Sequence, residues 1–142
     1  MKHFLQLLLI ICLFFTLNPA FANINSYDEY GNKTGSYRIH QSGSVITQYD
    51  KYGNKSGSYR KTGSSYNQYD KYGSKTGSYR KTSTGYNSYD RYGRKTGSYK
   101  VNSNGTTTIY DKYGRKSGTL KKSSSGKITE YDRYGRKIGS YR

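Results

Sequence analysis

Residues 69–80 read Tyr-Asp-Lys-Tyr-Gly-Ser-Lys-Thr-Gly-Ser-Tyr-Arg, and close copies of this stretch recur along most of the chain. The copies begin at Tyr27, Tyr49, Tyr69, Tyr89, Tyr110 and Tyr131, in steps of 22, 20, 20, 21 and 21 residues. Each carries Y-D-x-Y-G-x-K-x-G. Two residues later comes Tyr37, Tyr59, Tyr79, Tyr99, Leu120 or Tyr141, followed by Arg or Lys. Tandem units of about 20 residues cannot each bury a core, so they must pack against their neighbours.

The local chemistry of one copy reads as two turns and two strands. Asp-x-Tyr-Gly suits a type I turn with Asp first and Gly fourth. The Asp side chain accepts from the backbone two residues on, and the Gly takes positive φ without penalty. A second turn falls in the variable stretch: Gln-Ser-Gly (41–43), Lys-Thr-Gly (61–63), Ser-Thr-Gly (83–85), Ser-Asn-Gly (within 102–105) and Ser-Ser-Gly (124–126). All variation in repeat length lies there, where surface loops tolerate insertion. Between the turns, runs of Tyr, Thr, Ser and Ile favour strands, and no sustained helical period interrupts them. An unbulged strand places the Lys, the second Gly and the late Tyr on one face, whereas a bulge reverses that assignment downstream.

The expected fold is therefore all-β: tandem hairpins, about twelve strands, stacked into an open solenoid or spiral. A small closed propeller or barrel is the alternative, because closure removes exposed edges. Disorder is the third reading. Outside tyrosine, residues 23–142 hold few large apolar side chains, and low aliphatic content with high net charge is the mark of unfolded chains. All 19 tyrosines lie in that part, however. A Tyr ring buries apolar area while its hydroxyl stays hydrogen-bonded.

Residues 1–22 differ in kind. Met1-Lys2-His3 is a short basic head, Phe4 to Leu17 is nearly all apolar, and Ala20-Phe21-Ala22 is a small-residue processing site. This order is that of a secretory signal peptide cut after Ala22. The apolar run is shorter than the ~20 residues of a membrane helix. The expected product is a single repeat domain over 23–142, secreted or periplasmic, with no transmembrane segment. Cys12, the sole cysteine, leaves with the signal, so no disulfide is available. Lys2 leaves too, so 24 basic residues face 8 acidic ones, a net charge of +16.

Tyr110-Asp111-Lys112-Tyr113-Gly114-Arg115 and Tyr131-Asp132-Arg133-Tyr134-Gly135-Arg136 resemble the bacterial YD (RHS) repeat. That resemblance implies a β-rich spiral. The family's shells around toxins belong to far longer chains, and six copies are too few to enclose a cargo. Thr96-Gly97-Ser98-Tyr99, followed by a turn glycine and a Tyr-rich strand, is similar to the cell-wall (choline-binding) repeat. That similarity implies hairpins that bind wall polymers between aromatic side chains. The tryptophans of that pattern are missing here, and a lysine beside the rings disfavours choline.

Nothing in the sequence nominates a catalyst. Residues 23–142 lack cysteine, His40 stands alone, and no serine lies in a nucleophile motif. No cofactor is implied. Asp28, Asp50, Asp70, Asp90, Asp111 and Asp132 recur once per copy, but calcium asks for several oxygens from one loop. Turn capping accounts for them better.

The basic residues carry the functional signal. Lys33, Lys55, Lys75, Lys95, Lys116 and Lys137 occupy one repeat position; Arg38, Arg60, Arg80, Lys100, Lys121 and Arg142 occupy another. Regular stacking aligns each set into a stripe that suits a polyanion. Export directs the choice to an envelope glycan, lipopolysaccharide or a wall polymer. The bland reading is that charge keeps a Tyr-rich repeat unaggregated, with Lys guarding strand edges. The alternative function is a structural protein that self-associates end to end, because neither terminal copy has the distinct cap of a solenoid.

Overall fold

Each Asp-x-Tyr-Gly sequence turns the chain back on itself within four residues, so every repeat becomes a hairpin. A computed structural model describes residues 23–40 and 43–142. The expected signal segment 1–22, with its cut after Ala22, lies outside the described residues, as do residues 41–42 of the first variable turn. The twelve strands are β1 (Asn23–Asp28), β2 (Lys33–Ile39), β3 (Val45–Asp50), β4 (Lys55–Thr62), β5 (Ser65–Asp70), β6 (Lys75–Lys81), β7 (Gly85–Asp90), β8 (Lys95–Val101), β9 (Thr106–Asp111), β10 (Lys116–Lys122), β11 (Ile128–Asp132) and β12 (Lys137–Tyr141). The described residues form all-β hairpin repeats, as expected. Among the described residues no helix is long and apolar enough to cross a membrane.

The hairpins do not form the open solenoid that was the first expectation. Each strand pairs antiparallel with its chain neighbours, β12 pairs with β1, and the sheet is a closed barrel. The closing register is Ser26 to Tyr141, Tyr27 to Ser140 and Asp28 to Gly139. Between the first and second hairpins, Gln48 faces Tyr37, Tyr49 faces Ser36 and Asp50 faces Gly35. The two registers match position for position, so the seam is one more repeat junction. Hydrogen bonds from Asn25 N to Arg142 O (2.7 Å) and Arg142 N to Asn25 O (3.0 Å) complete it. The missing caps that suggested end-to-end assembly follow from closure, because a ring leaves neither terminal strand as a free edge.

The seam makes a prediction. Joining Arg142 to Asn23 through a short Gly-rich linker and opening the ring between Ser124 and Ser125 leaves every ladder intact. The permuted 23–142 chain is expected to melt cooperatively within about 5 °C of its parent. Thermal unfolding followed by circular dichroism checks this, and loss of the cooperative transition would refute the equivalence of the seam.

A bulge sits in every hairpin. In the first, Tyr27 faces Lys33 but Ser26 faces Gly35, so Thr34 is the extra residue; the same shift occurs in the other five. The bulge separates the Lys from the second Gly and late Tyr. Of the two assignments the sequence leaves open, the bulged one holds: the Gly and Tyr face the interior, and the Lys shares the outer face with the first Tyr of its motif. Two expected turns also move. Lys61 and Thr62 lie in β4, so the bend expected at 61–63 is made by Gly63 and Ser64. Gly85 is the first residue of β7, and the bend is made by Ser83 and Thr84 with Thr82 N donating to Gly85 O at 2.8 Å.

The second Gly is required by crowding. A Cβ on Gly77 would lie 2.7 Å from Tyr89 O, and one on Gly57 would lie 2.8 Å from Tyr69 O. The neighbouring backbone occupies the space of a side chain, which is how the bulged sheet coils tightly enough to close.

The core fills the ring. Tyr37, Tyr59, Tyr79, Tyr99, Leu120 and Tyr141 project from the even strands and are buried. Ile24, Ile46, Tyr66, Tyr86 and Ile128 add to them from the odd strands. Eight strands make a barrel that ordinary side chains fill, and diameter grows with strand number. Twelve strands need longer side chains, and tyrosine supplies the reach. Tyr79 and Tyr99 meet with ring centroids 6.4 Å apart at 46°, a tilted contact of the kind aromatic rings favour.

Candidate functional site

The up-and-down topology gathers all six Asp-x-Tyr-Gly turns on one rim of the barrel, with the variable turns on the other. Each conserved turn is closed by the backbone, as Gly31 N donates to Asp28 O at 3.2 Å, and Gly31 takes φ +90°. The Asp locks it: Asp50 Oδ1 accepts from Tyr52 N and Asn54 N, both at 2.9 Å. The same pair of bonds recurs at Asp28, Asp70, Asp90, Asp111 and Asp132. These bonds hold the carboxyls of Asp50, Asp90 and Asp111 below the usual carboxylate range, chiefly through the N–H of Asn54, Arg94 and Arg115. The Asp residues are thus the turn caps expected from the sequence.

The residue after the capped Asp-x pair has nowhere to go but outward. Tyr30, Tyr52, Tyr72, Tyr92, Tyr113 and Tyr134 stand at the turn tips, 68–83 % exposed. Five of them carry a cation against the ring: Lys51 Nζ is 4.9 Å from the Tyr52 centroid and Lys71 Nζ 4.8 Å from that of Tyr72. Tyr92, Tyr113 and Tyr134 each have two, at 4.7–5.4 Å.

Below the tips lie the two predicted basic sets. Lys33, Lys55, Lys75, Lys95, Lys116 and Lys137 are all exposed, each opposite the first Tyr of its own motif. Arg38, Arg60, Arg80, Lys100, Lys121 and Arg142 are exposed two outward positions further along the same strands. Five of these reach across the junction to the next repeat: Arg38 to Tyr49 (5.5 Å), Arg60 to Tyr69 (5.0 Å), Arg80 to Tyr89 (4.6 Å), Lys121 to Tyr131 (5.2 Å) and, over the seam, Arg142 to Tyr27 (4.5 Å). The expected stripes are therefore rings. Closure bends each line of cations into a circle around the barrel, with half-buried tyrosines between the circles.

Sequence reading missed two features. It did not tell which tyrosines fill the core and which stand outside beside the cations, although the third residue of a hairpin turn points away from the sheet; that position was signal enough. It also passed over Glu130. This side chain lies inside the barrel, 7 % exposed, where other repeats place Ser26, Gln48, Gln68, Ser88 and Ile109. It accepts from the Tyr141 hydroxyl at 2.9 Å, and burial pushes its carboxyl up to about 7. His40, set aside as a lone loop residue, contacts Thr47 Oγ1 through Nε2 at 2.9 Å and helps close the first variable turn.

Compared with known proteins, the chain matches no family model and no curated protein.

Proposed function

We propose that this is an exported, non-catalytic barrel that binds an anionic envelope or extracellular polymer through its Asp-x-Tyr-Gly rim and the lysine circle beneath it. One observation carries the reading: five exposed turn tyrosines hold Lys or Arg at 4.7–5.4 Å, on a rim that the six lysines of the repeat surround. Exposed cations held on a rigid scaffold lose little entropy on binding, and each phosphate, sulfate or carboxylate they neutralise releases a counterion. Export itself is inferred from residues 1–22. The strands are five to eight residues long and their outer face carries Ser, Thr, Lys and Arg around the half-buried first tyrosines, which suits a polymer in water rather than hydrocarbon.

The test is retention of the 23–142 domain on immobilised heparin, lipopolysaccharide and cell-wall polymer across a salt series. With six to ten anions engaged, affinity is expected to fall roughly a thousandfold or more between 50 and 200 mM salt. Passage through all three matrices near physiological salt would overturn the reading.

A further inference from the structure

The six conserved turns are not equal. Repeat one sets Asp28 and Glu29 against Lys33. Repeats two and three carry a single cation at the tip tyrosine, with Asn54 or Ser74 after the glycine. In repeats four, five and six that last position is Arg94, Arg115 or Arg136. Each donates from Nε to its own Asp, at 2.8, 2.9 and 2.7 Å. Each also brings its guanidinium 5.2, 5.0 and 5.4 Å from the centre of the tip tyrosine. A second cation, from Arg91, Lys112 or Arg133, stands at 5.4, 4.8 and 4.7 Å from the same ring.

Turn stability does not account for these arginines. Asn32 and Asn54 reach the same Asp oxygen through Nδ2, at 3.0 and 3.2 Å, and cap it without a charge. An exposed pair of opposite charges adds little. What arginine adds is a guanidinium oriented by Asp on one side and tyrosine on the other, in three successive turns. Because β12 pairs with β1, the next turn past this arc is that of repeat one, where Glu29 stands at the position held by Arg91, Lys112 and Arg133. On that side the arc ends at an acidic residue.

We propose that repeats four to six form the polymer-binding arc of the rim, and that its ligand is a polysaccharide gripped at its acidic groups by three tyrosine-propped pairs of cations. The proposal rests on the polyanion reading above and deepens it. Each tip tyrosine already holds two cations against its ring, so it serves as a prop for guanidinium groups rather than as a stacking platform for bases. The contact to Asp uses Nε, which leaves the paired Nη groups to face an oxyanion in the forked geometry arginine favours. Adjacent turns are two strands apart, about 10 Å along the rim. Phosphates along one strand of a DNA duplex recur at about every 3.4 Å of helix axis, a denser charge ladder than these turns present. The wider interval suits a polysaccharide in which the same acidic group recurs once per disaccharide.

The experiment compares three proteins for binding to chondroitin sulfate oligomers and to poly(dT) at 150 mM salt. The arc variant is Arg94→Asn, Arg115→Asn, Arg136→Asn, which installs the residue that repeats one and two already use. The control removes equal charge from the opposite rim: Lys61→Ser, Lys81→Ser, Lys122→Ser. The arc variant is expected to bind chondroitin sulfate at least tenfold more weakly, and the control to stay within about twofold of the parent, with poly(dT) the weaker ligand throughout. Equal losses in both variants would overturn the arc while leaving a general polyanion surface. Tighter binding of poly(dT) than of the glycan would overturn the polysaccharide assignment. No binding of either ligand by a parent that is retained on heparin, lipopolysaccharide or wall polymer would overturn this proposal alone, and no retention there either would overturn the reading beneath it as well. Circular dichroism melting of all three proteins shows that each comparison is made between folded barrels.

Discussion

Tyr59→Ala lowers the stability of the barrel by about 3–5 kcal/mol, the range for removing a large aromatic from a core, and so lowers Tm by on the order of 15 °C. Tyr59 has no exposed surface. Its hydroxyl lies between two lumen amides, donating to Gln48 Oε1 at 3.3 Å and accepting from Gln68 Nε2 at 3.5 Å. Burial, with a smaller contribution from the nearby Tyr99, pushes the phenol well above its ordinary range. The ring cannot be replaced by collapse, because a closed ladder of twelve strands holds the walls apart. Tyr59→Phe keeps the ring and removes only the hydroxyl, so about 1 kcal/mol is expected. Tyr52→Ala, at a turn tip, is expected to change stability by less than about 0.5 kcal/mol. Urea or thermal unfolding of the three variants distinguishes core from rim tyrosines. A Tyr59→Ala protein melting beside the Tyr52→Ala protein would refute the assignment.

Glu130→Gln is expected to stabilise the protein at pH 8 by up to roughly 3 kcal/mol and to have almost no effect at pH 4. In the folded barrel the carboxyl holds its proton up to about pH 7, against an ordinary 4.5. Burial is the cause, and the Tyr141 hydrogen bond opposes it only in part. Between those two pH values the folded state binds more protons than the unfolded chain, so stability falls as pH rises. The contribution is intact below 4.5 and lost above 7. Each pH unit of difference is worth about 1.4 kcal/mol, which sets the magnitude. The glutamine variant should show no such slope. Asp28, Asp50, Asp90, Asp111 and Asp132 act in the opposite sense. Their carboxyls are held below the ordinary value, so they favour the fold at neutral pH and withdraw support only as the medium becomes strongly acidic. Melting curves from pH 4 to 8 check the prediction, and parallel profiles for parent and variant would refute it.

Much of this molecule was legible in one repeat. Asp28 and Gly31 announced the turn because only a short acceptor and a residue free to take positive φ close it in this way. The alternation after Lys33 announced a strand. The length differences placed the loops at the variable end. Three matters were not legible, each for a physical reason. Open and closed arrangements use the same hairpins and the same junction, so nothing within a repeat distinguishes them. The bulge at Thr34 leaves the order of residue types unchanged while reversing the face of Lys33. Glu130 occupies a position that tolerates Ser, Gln or Ile, so its burial shows only once the surrounding strands are in place.

The sequence by itself determined the unit: a capped turn, two short strands, and one cation at each of two repeat positions. Those features depend on a few neighbouring residues, and local chemistry is enough to set them. The tertiary structure decided how many units meet and in what shape. Backbone from the next strand packs into the space above each second glycine, the sheet coils, and the sixth hairpin comes round to pair with the first in the register used by all the others. That closure turns lines of charge into circles, commits the late tyrosines to the interior, and gathers the six Asp-x-Tyr-Gly turns on one rim.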